Sequence, residues 1–217
     1  MAGPNIDAMQ SREIPTSEAR WLIAGHPSAN PDDVAALFQG NYQSYEITTT
    51  DHQLDHVLIG IDACALVVNA KTGVSPAMIQ FWNHISERQF PRLLIVNGLE
   101  LSDIDFDDIV MIANRVLEPV VTPYLVLHDE LGEPIGLISL ATNQVHDYSA
   151  MTIKEYPADD ELLNLITDFR TEYLEQIEGL DEDSFRAGLL VPAIPLVQFR
   201  GIGRSELNYY FEQITKL

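Results

Sequence analysis

Trp21-Leu-Ile-Ala-Gly-His-Pro-Ser-Ala-Asn-Pro-Asp32 joins a short apolar run to a turn of small residues and then to a helix start, the layout of a strand, a phosphate-binding loop and a helix. Trp21, Leu22 and Ile23 predict the strand. Gly25, His26 and Ala29 fall where such a loop turns. Phosphate binding also needs a lysine on the β/γ oxygens and a Ser/Thr hydroxyl on Mg²⁺. Those two positions fall on Pro31 and Asp32. Proline brings no charge and removes a backbone donor, and Asp32 with Asp33 sets two negative charges against a polyphosphate. The same residues also read as plain helix chemistry: Asn30 as N-cap, Pro31 as the first helical residue, Asp32 and Asp33 complementing the helix dipole.

Outward from this stretch, short apolar runs alternate with helix-period segments, the pattern of an α/β fold with a largely parallel sheet. Strands are expected at Arg20–Ala24, Tyr45–Thr49, Ala63–Asn69, Arg92–Asn97 and Leu190–Val197, and helices at Asp32–Gln39, Gln53–Gly60, Pro76–Arg88, Asp103–Leu117 and Arg204–Thr215. The rhythm breaks after Glu118. Thr122–His128 and Pro134–Leu140, joined by Asp129-Glu-Leu-Gly-Glu133, read as a hairpin, with Val145–Ser149 as a third antiparallel strand and an acidic helix over 158–177. These elements predict a core over 20–118 and 189–217, an inserted α+β subdomain over 119–188, and an N-terminal extension over 1–19.

The charge balance is far from neutral: 33 Asp+Glu against 12 Lys+Arg gives a formal net charge of -21 over 217 residues. Such a surface attracts basic partners and disfavours direct contact with nucleic acid or anionic membrane. The single cysteine, Cys64, lies in the apolar run Ala63-Cys-Ala-Leu-Val-Val68 and reads as a small buried hydrophobe. Neither a signal peptide nor an apolar run near the roughly 20 residues of a bilayer span is found. A cytoplasmic location is expected.

Other chemistry has bland counterparts. His52 and His56, spaced i, i+4 beside Asp51 and Asp55, could face one metal, but no third ligand is evident and the pair reads as a solvated polar face. The acids from Asp159 to Asp183 read as a solvated helix face over a stripe of Leu162, Leu163, Leu165, Ile166, Phe169, Tyr173 and Ile177. Tyr209-Tyr210-Phe211 is either a contact patch or core packing in a terminal helix. No nucleophile, paired-carboxylate or metal motif stands out, so no catalytic or metal-binding residue is assigned.

Ala65-Leu-Val-Val-Asn-Ala-Lys-Thr-Gly-Val-Ser-Pro76, Trp82, and Phe90-Pro-Arg-Leu-Leu-Ile-Val-Asn-Gly-Leu-Glu100 together resemble the middle of a translational GTPase domain, that of elongation factor G. The hairpin with Gly132, Pro134 and Gly136-Leu-Ile-Ser-Leu140, the acidic helix, and Val191-Pro-Ala-Ile194 resemble that family's inserted subdomain and its return to the core. The resemblance runs from Arg20 onward, with nothing similar to the later domains of a full factor. It implies a P-loop-NTPase-like, doubly wound G domain, GTP or GDP with Mg²⁺ as cofactor, and an inserted subdomain that touches a ribosomal stalk protein.

The departures bear on the nucleotide. In Asn97-Gly98-Leu99-Glu100, similar to the family's Asn-Lys-x-Asp guanine reader, the lysine is replaced by Gly98 and the aspartate by a longer Glu100. Leu196-Val197-Gln198 stands where a small Ser-Ala turn is usual. There is no room between Phe38 and Tyr45 for a threonine-bearing switch loop, and Thr49-Thr-Asp-His-Gln-Leu-Asp55 lacks the Pro-Gly of the second switch. Lysine, Mg²⁺ hydroxyl and γ-phosphate switch fail together. The expectation is a degenerate G domain with Gly25, His26 and Ala29 as a vestigial phosphate loop and Asn97 and Glu100 as vestigial guanine positions. It would be a pseudo-GTPase working through a protein partner, ribosomal or basic. The alternatives are weak guanine-nucleotide binding or a residual GTPase activity, and unrelated chemistry in the same cleft.

Overall fold

The computed structural model describes residues 19–48, 54–101, 104–150 and 152–214. In chain order, β1 (Arg20–Gly25) leads through a 3-10 turn (Pro27–Ala29) to α1 (Pro31–Ala36), β2 (Asn41–Glu46), α2 (Leu54–Val57), β3 (Ala63–Asn69), α3 (Pro76–Ser86), β4 (Arg92–Asn97) and α4 (Phe106–Val116). There follow β5 (Tyr124–His128), β6 (Pro134–Ser139), β7 (Gln144–Asp147), β8 (Lys154–Pro157), α5 (Asp160–Leu165), α6 (Thr167–Gln176), β9 (Ala193–Leu196) and α7 (Arg204–Gln213).

Five strands form one parallel sheet in the order β2-β1-β3-β4-β9. Parallel strands covered on both faces read as continuous apolar runs. Accordingly β3 and β4 are buried along almost their whole length. Alternation sorts their side chains: Leu22, Cys64, Leu66, Leu94 and Val96 face α3 and α4 through Phe81, Trp82 and Ile109. Trp21, Ile23, Ala65, Leu93 and Ile95 face the other way, toward Val34 of α1 and Leu207, Tyr210 and Phe211 of α7. The result is the doubly wound α/β architecture expected from the sequence. Local chemistry starts α3 firmly, since the Ser75 hydroxyl accepts from the Met78 N–H at 3.3 Å and Pro76 is the first helical residue.

The remaining strands form an antiparallel sheet, β5-β6-β7-β8, with its own small core of Ile138, Leu140, Val145 and Ile166. Two polar networks brace the chain here, one holding β4 to the segments just before β5 and just before β9, the other joining the antiparallel sheet to α7. Arg92, 4% exposed, grips Glu118 through Nε (2.7 Å) and a terminal nitrogen (2.6 Å), and also donates to the carbonyls of Phe90 and Gly188; Trp82 Nε1 donates to the same Glu118 at 2.7 Å. On the other side, Glu206 of α7 is met by His146 of β7 at 2.6 Å and by the Tyr148 hydroxyl at 2.8 Å.

Several sequence expectations are corrected. The strand expected at Tyr45–Thr49 begins earlier, at Asn41, and ends at Glu46, because it is an edge strand whose polar side chains carry little apolar signal. The last core strand shortens to Ala193–Leu196 between Pro192 and a 3-10 turn. The single acidic helix over 158–177 is two helices meeting at Ile166, and of its expected buried stripe only Ile166 is buried, with Leu165 74% exposed. Strand β8 was not expected, since all four of its residues are exposed. Asn30 occupies the N-cap position of α1, but at φ 48° its side chain makes no capping bond. In the terminal helix Tyr210 and Phe211 are core, whereas Tyr209 is 59% exposed. Of the Thr49–Asp55 stretch and the His52/His56 pair, residues 49–53, His52 among them, lie outside the described residues, while His56 falls in α2 and is exposed.

Candidate functional site

Open α/β sheets gather ligand chemistry where parallel strands end at their carboxyl side. Here those ends bring together Gly25, Asn69, Asn97 and Leu196–Val197, with Asn69 beside Asn97 and Asn97 beside Leu196 in register. Gly25 is required by packing: a Cβ there would sit 2.6 Å from the Val67 carbonyl oxygen.

The loop after Gly25 is closed by its own bonds. The Ser28 N–H donates to His26 Nδ1 (3.2 Å), the Ala29 N–H to the His26 carbonyl (2.8 Å), and the Asn30 N–H to the Pro27 carbonyl (3.1 Å). Pro27 and Pro31 have no N–H to offer. The Ser28 hydroxyl lies 2.8 Å from His26 Nδ1 and 2.9 Å from the Thr72 hydroxyl beyond β3, so it too is engaged. Asp32 and Asp33 stand exposed in the first turn of α1.

Asn97, 5% exposed, donates its Nδ2 to the Ala29 carbonyl at 2.7 Å and so pins the loop from the neighbouring strand end. Its Oδ1, and Oε2 of Glu100 in the following 3-10 turn, are buried without a hydrogen-bond partner among the described residues. Gly98 between them has φ 72°, and a Cβ would meet the Asn69 side-chain amide at 2.5 Å. Leu196 and Val197 are fully buried at the return loop and fill it with aliphatic bulk. Thus the structure brings Gly25, His26, Ala29 and Asn97 into one bonded unit, with Glu100 one turn away. The sequence did not reveal the closing partners: the His26 ring, Ser28 and Thr72. Lys71, two residues past β3, is exposed. Among the described residues no group of three or more His, Cys, Asp or Glu is placed to hold a metal ion. Nor is any helix among them long and apolar enough to cross a membrane.

A parallel sheet wound on both faces, with a glycine-led loop after its first strand and an Asn-Gly-Leu-Glu turn after its fourth, defines a G-domain-like fold. No family model matches the chain. It is 28% identical over 138 residues to ribosome-releasing factor 2, mitochondrial, of Drosophila yakuba, covering 60% of this chain and 19% of the relative. The Drosophila melanogaster protein of the same name is matched at 28% identity over 138 residues, 60% of this chain and 18% of the relative. The chain thus spans about a fifth of the length of the curated relatives it matches. A crystal structure from Thermus thermophilus superposes with a TM-score of 0.68 at 16% identity, covering 92% of this chain and 40% of that one. These likenesses bear out the resemblance to the G domain of elongation factor G, in sequence and in fold.

Proposed function

We propose that this chain is a pseudo-GTPase of the elongation factor G type, a G-domain-like module that works through protein contacts without turning over nucleotide. The observation that carries the reading is the closed loop: the Ser28, Ala29 and Asn30 N–H groups are bonded within the loop, and prolines flank them. A polyphosphate is held by backbone N–H groups aimed outward and by a lysine. The residues present do not fit Mg²⁺–nucleotide. Pro31 and Asp32 at the lysine and hydroxyl positions, and the like charge of Asp32 and Asp33, support the same reading.

The partner we propose is ribosomal. The curated relatives are named for ribosome release, and a net charge of -21 suits a basic protein surface and not nucleic acid. Cytoplasmic action remains part of this proposal, although those relatives are named as mitochondrial. The test is a GTP-hydrolysis assay on purified protein with and without ribosomes. Turnover no faster than in an Asn97→Ala variant is expected, and turnover that disappears in that variant would overturn the reading.

A second reading has its own observation. Among the described residues Asn97 Oδ1 and Glu100 Oε2 are buried acceptors lacking donors, and a guanine edge brings N–H groups. Weak guanine binding with the phosphates directed to solvent would stabilise the fold on adding GDP, and Glu100→Ala would abolish that effect.

A further inference from the structure

We propose that Ser28 is a nucleophile that accepts an acyl group from an uncharged activated ester, with His26 as its general base. Both residues stand half-buried in the loop after β1, within reach of a small reagent. Neither role depends on nucleotide, because both come from the side chains that close the loop.

The bonding pattern fixes where the protons lie. A backbone N–H only donates, so the Ser28 N–H at 3.2 Å makes His26 Nδ1 an acceptor and leaves the proton of the neutral ring on Nε2. The Ser28 hydroxyl, 2.8 Å from the same Nδ1, must then be the donor in that pair. Its oxygen lies 2.9 Å from the Thr72 hydroxyl, and since the serine proton is committed to His26, Thr72 donates there. A directed chain therefore runs from Thr72 to Ser28 to His26 and leaves one lone pair of the serine oxygen unused. A hydroxyl held about 2.6–3.2 Å from a basic nitrogen is the arrangement of an activated nucleophile. Capping the turn needs only the N–H bond to Nδ1, so the hydroxyl bond and the incoming Thr72 donor are additional to it. The imidazoles of His84 and His146 instead meet carboxylates, those of Asp55 and Glu206.

The surroundings select the substrate. Ser28, Ala29 and Asn30 spend their N–H groups inside the loop, which leaves none of the three to hold an oxyanion. The acyl donor must then carry a leaving group that departs readily, as an aryl ester or a thioester does and an amide does not. Asp32 and Asp33, exposed in the first turn of α1, repel anionic donors such as acyl phosphates and favour the imidazolium formed during transfer. In that transfer the serine oxygen bonds the acyl carbon as its proton passes to His26 Nδ1. The bond from the acyl carbon to the phenolate or thiolate breaks, and the leaving group takes the proton from the imidazolium. The product is an O-acylserine, from which water later releases the acid.

The experiment mixes purified protein with p-nitrophenyl acetate, follows nitrophenolate release, and locates the acetyl group by peptide mass spectrometry. A burst of about one equivalent per chain is expected, with the acetyl group on Ser28. Ser28→Ala should remove both, and His26→Gln should slow acylation about a hundredfold. Thr72 is a positioning residue: Thr72→Val should slow acylation about threefold, and Thr72→Ser should restore the rate, which a role in packing alone would not do. The wild-type chain supplies a reading that needs no variant to fold, since acylation should decline toward acid pH as the imidazole gains a proton. The absence of a burst, a burst that survives Ser28→Ala, or acetyl groups confined to lysines would overturn the assignment. So would a rate indifferent both to His26→Gln and to protonation of the imidazole.

Discussion

At the scale of single residues, Asn97 stands at the position expected to read a base and holds the neighbouring loop through its side-chain amide. Its amide holds the Ala29 carbonyl across 68 positions of chain at 2.7 Å, and the group that receives the bond belongs to the loop that would face phosphate. Replacing it by alanine should lower stability by about 1–2 kcal/mol, the value of a buried hydrogen bond whose acceptor is left unmet. Denaturant unfolding of Asn97→Ala reads this directly, and an unchanged midpoint would mean the loop does not depend on the bond. Gly25, His26, Ala29, Asn97 and Glu100 could each be singled out from the sequence because motif spacing places them. That the Ser28, Ala29 and Asn30 N–H groups are satisfied within the loop was not legible there. It depends on the His26 ring turning back onto Ser28 and on a hydroxyl from beyond β3, and neither belongs to any local pattern.

At the scale of elements, one polar network holds β4 to the segments just before β5 and just before β9, the other ties the antiparallel sheet to α7, and each makes a prediction. His146 on β7 titrates above its ordinary value of 6.5, chiefly through its hydrogen bond to Glu206 and further through the charges of Glu206 and Glu155, against the opposing effect of burial. Burial works against the charge of Glu206 on α7, but bonds from His146 and Tyr148 outweigh it and hold the carboxyl below its ordinary 4.5. The raised histidine stabilises fully below pH 6.5, and that contribution is lost as pH rises through its folded value. The lowered carboxyl stabilises above pH 4.5, and its contribution is lost as pH falls through its folded value. Thermal unfolding should therefore show stability declining as pH rises above 6.5. His146→Gln should flatten that decline, and an unaltered slope would contradict the pairing. At the other junction, Arg92→Ala leaves Glu118 without its bidentate partner and should cost about 3–5 kcal/mol. A much smaller loss in a denaturant titration would show that water replaces the guanidinium there.

Legibility differed among the elements for a physical reason. β3 and β4 coincide with their expected limits because burial on both faces demands an unbroken apolar run. The edge strand β2 alternates polar residues, and β8 is exposed throughout, so neither carried the signal that located the central strands. The break at Ile166 was equally hidden, since α6 keeps helical composition on both sides and buries no residue.

For the whole molecule, the fold is G-domain-like, and the function proposed for it requires that the positions that would bind nucleotide be turned inward or changed in charge. An acidic surface of net charge -21 then becomes the outstanding feature available to partners. Association through it should weaken steeply with salt, because long-range attraction is screened within about 8 Å at physiological ionic strength. Co-sedimentation with ribosomes at rising salt measures this, and salt-independent association would point to an apolar contact instead. The central claim is tested most directly by calorimetric titration of the nucleotide-free protein with GDP and GTP, with and without Mg²⁺. A closed loop predicts no heat of binding from the phosphates and no effect of Mg²⁺. Micromolar or tighter binding that requires Mg²⁺ would contradict it and return the chain to the active GTPases.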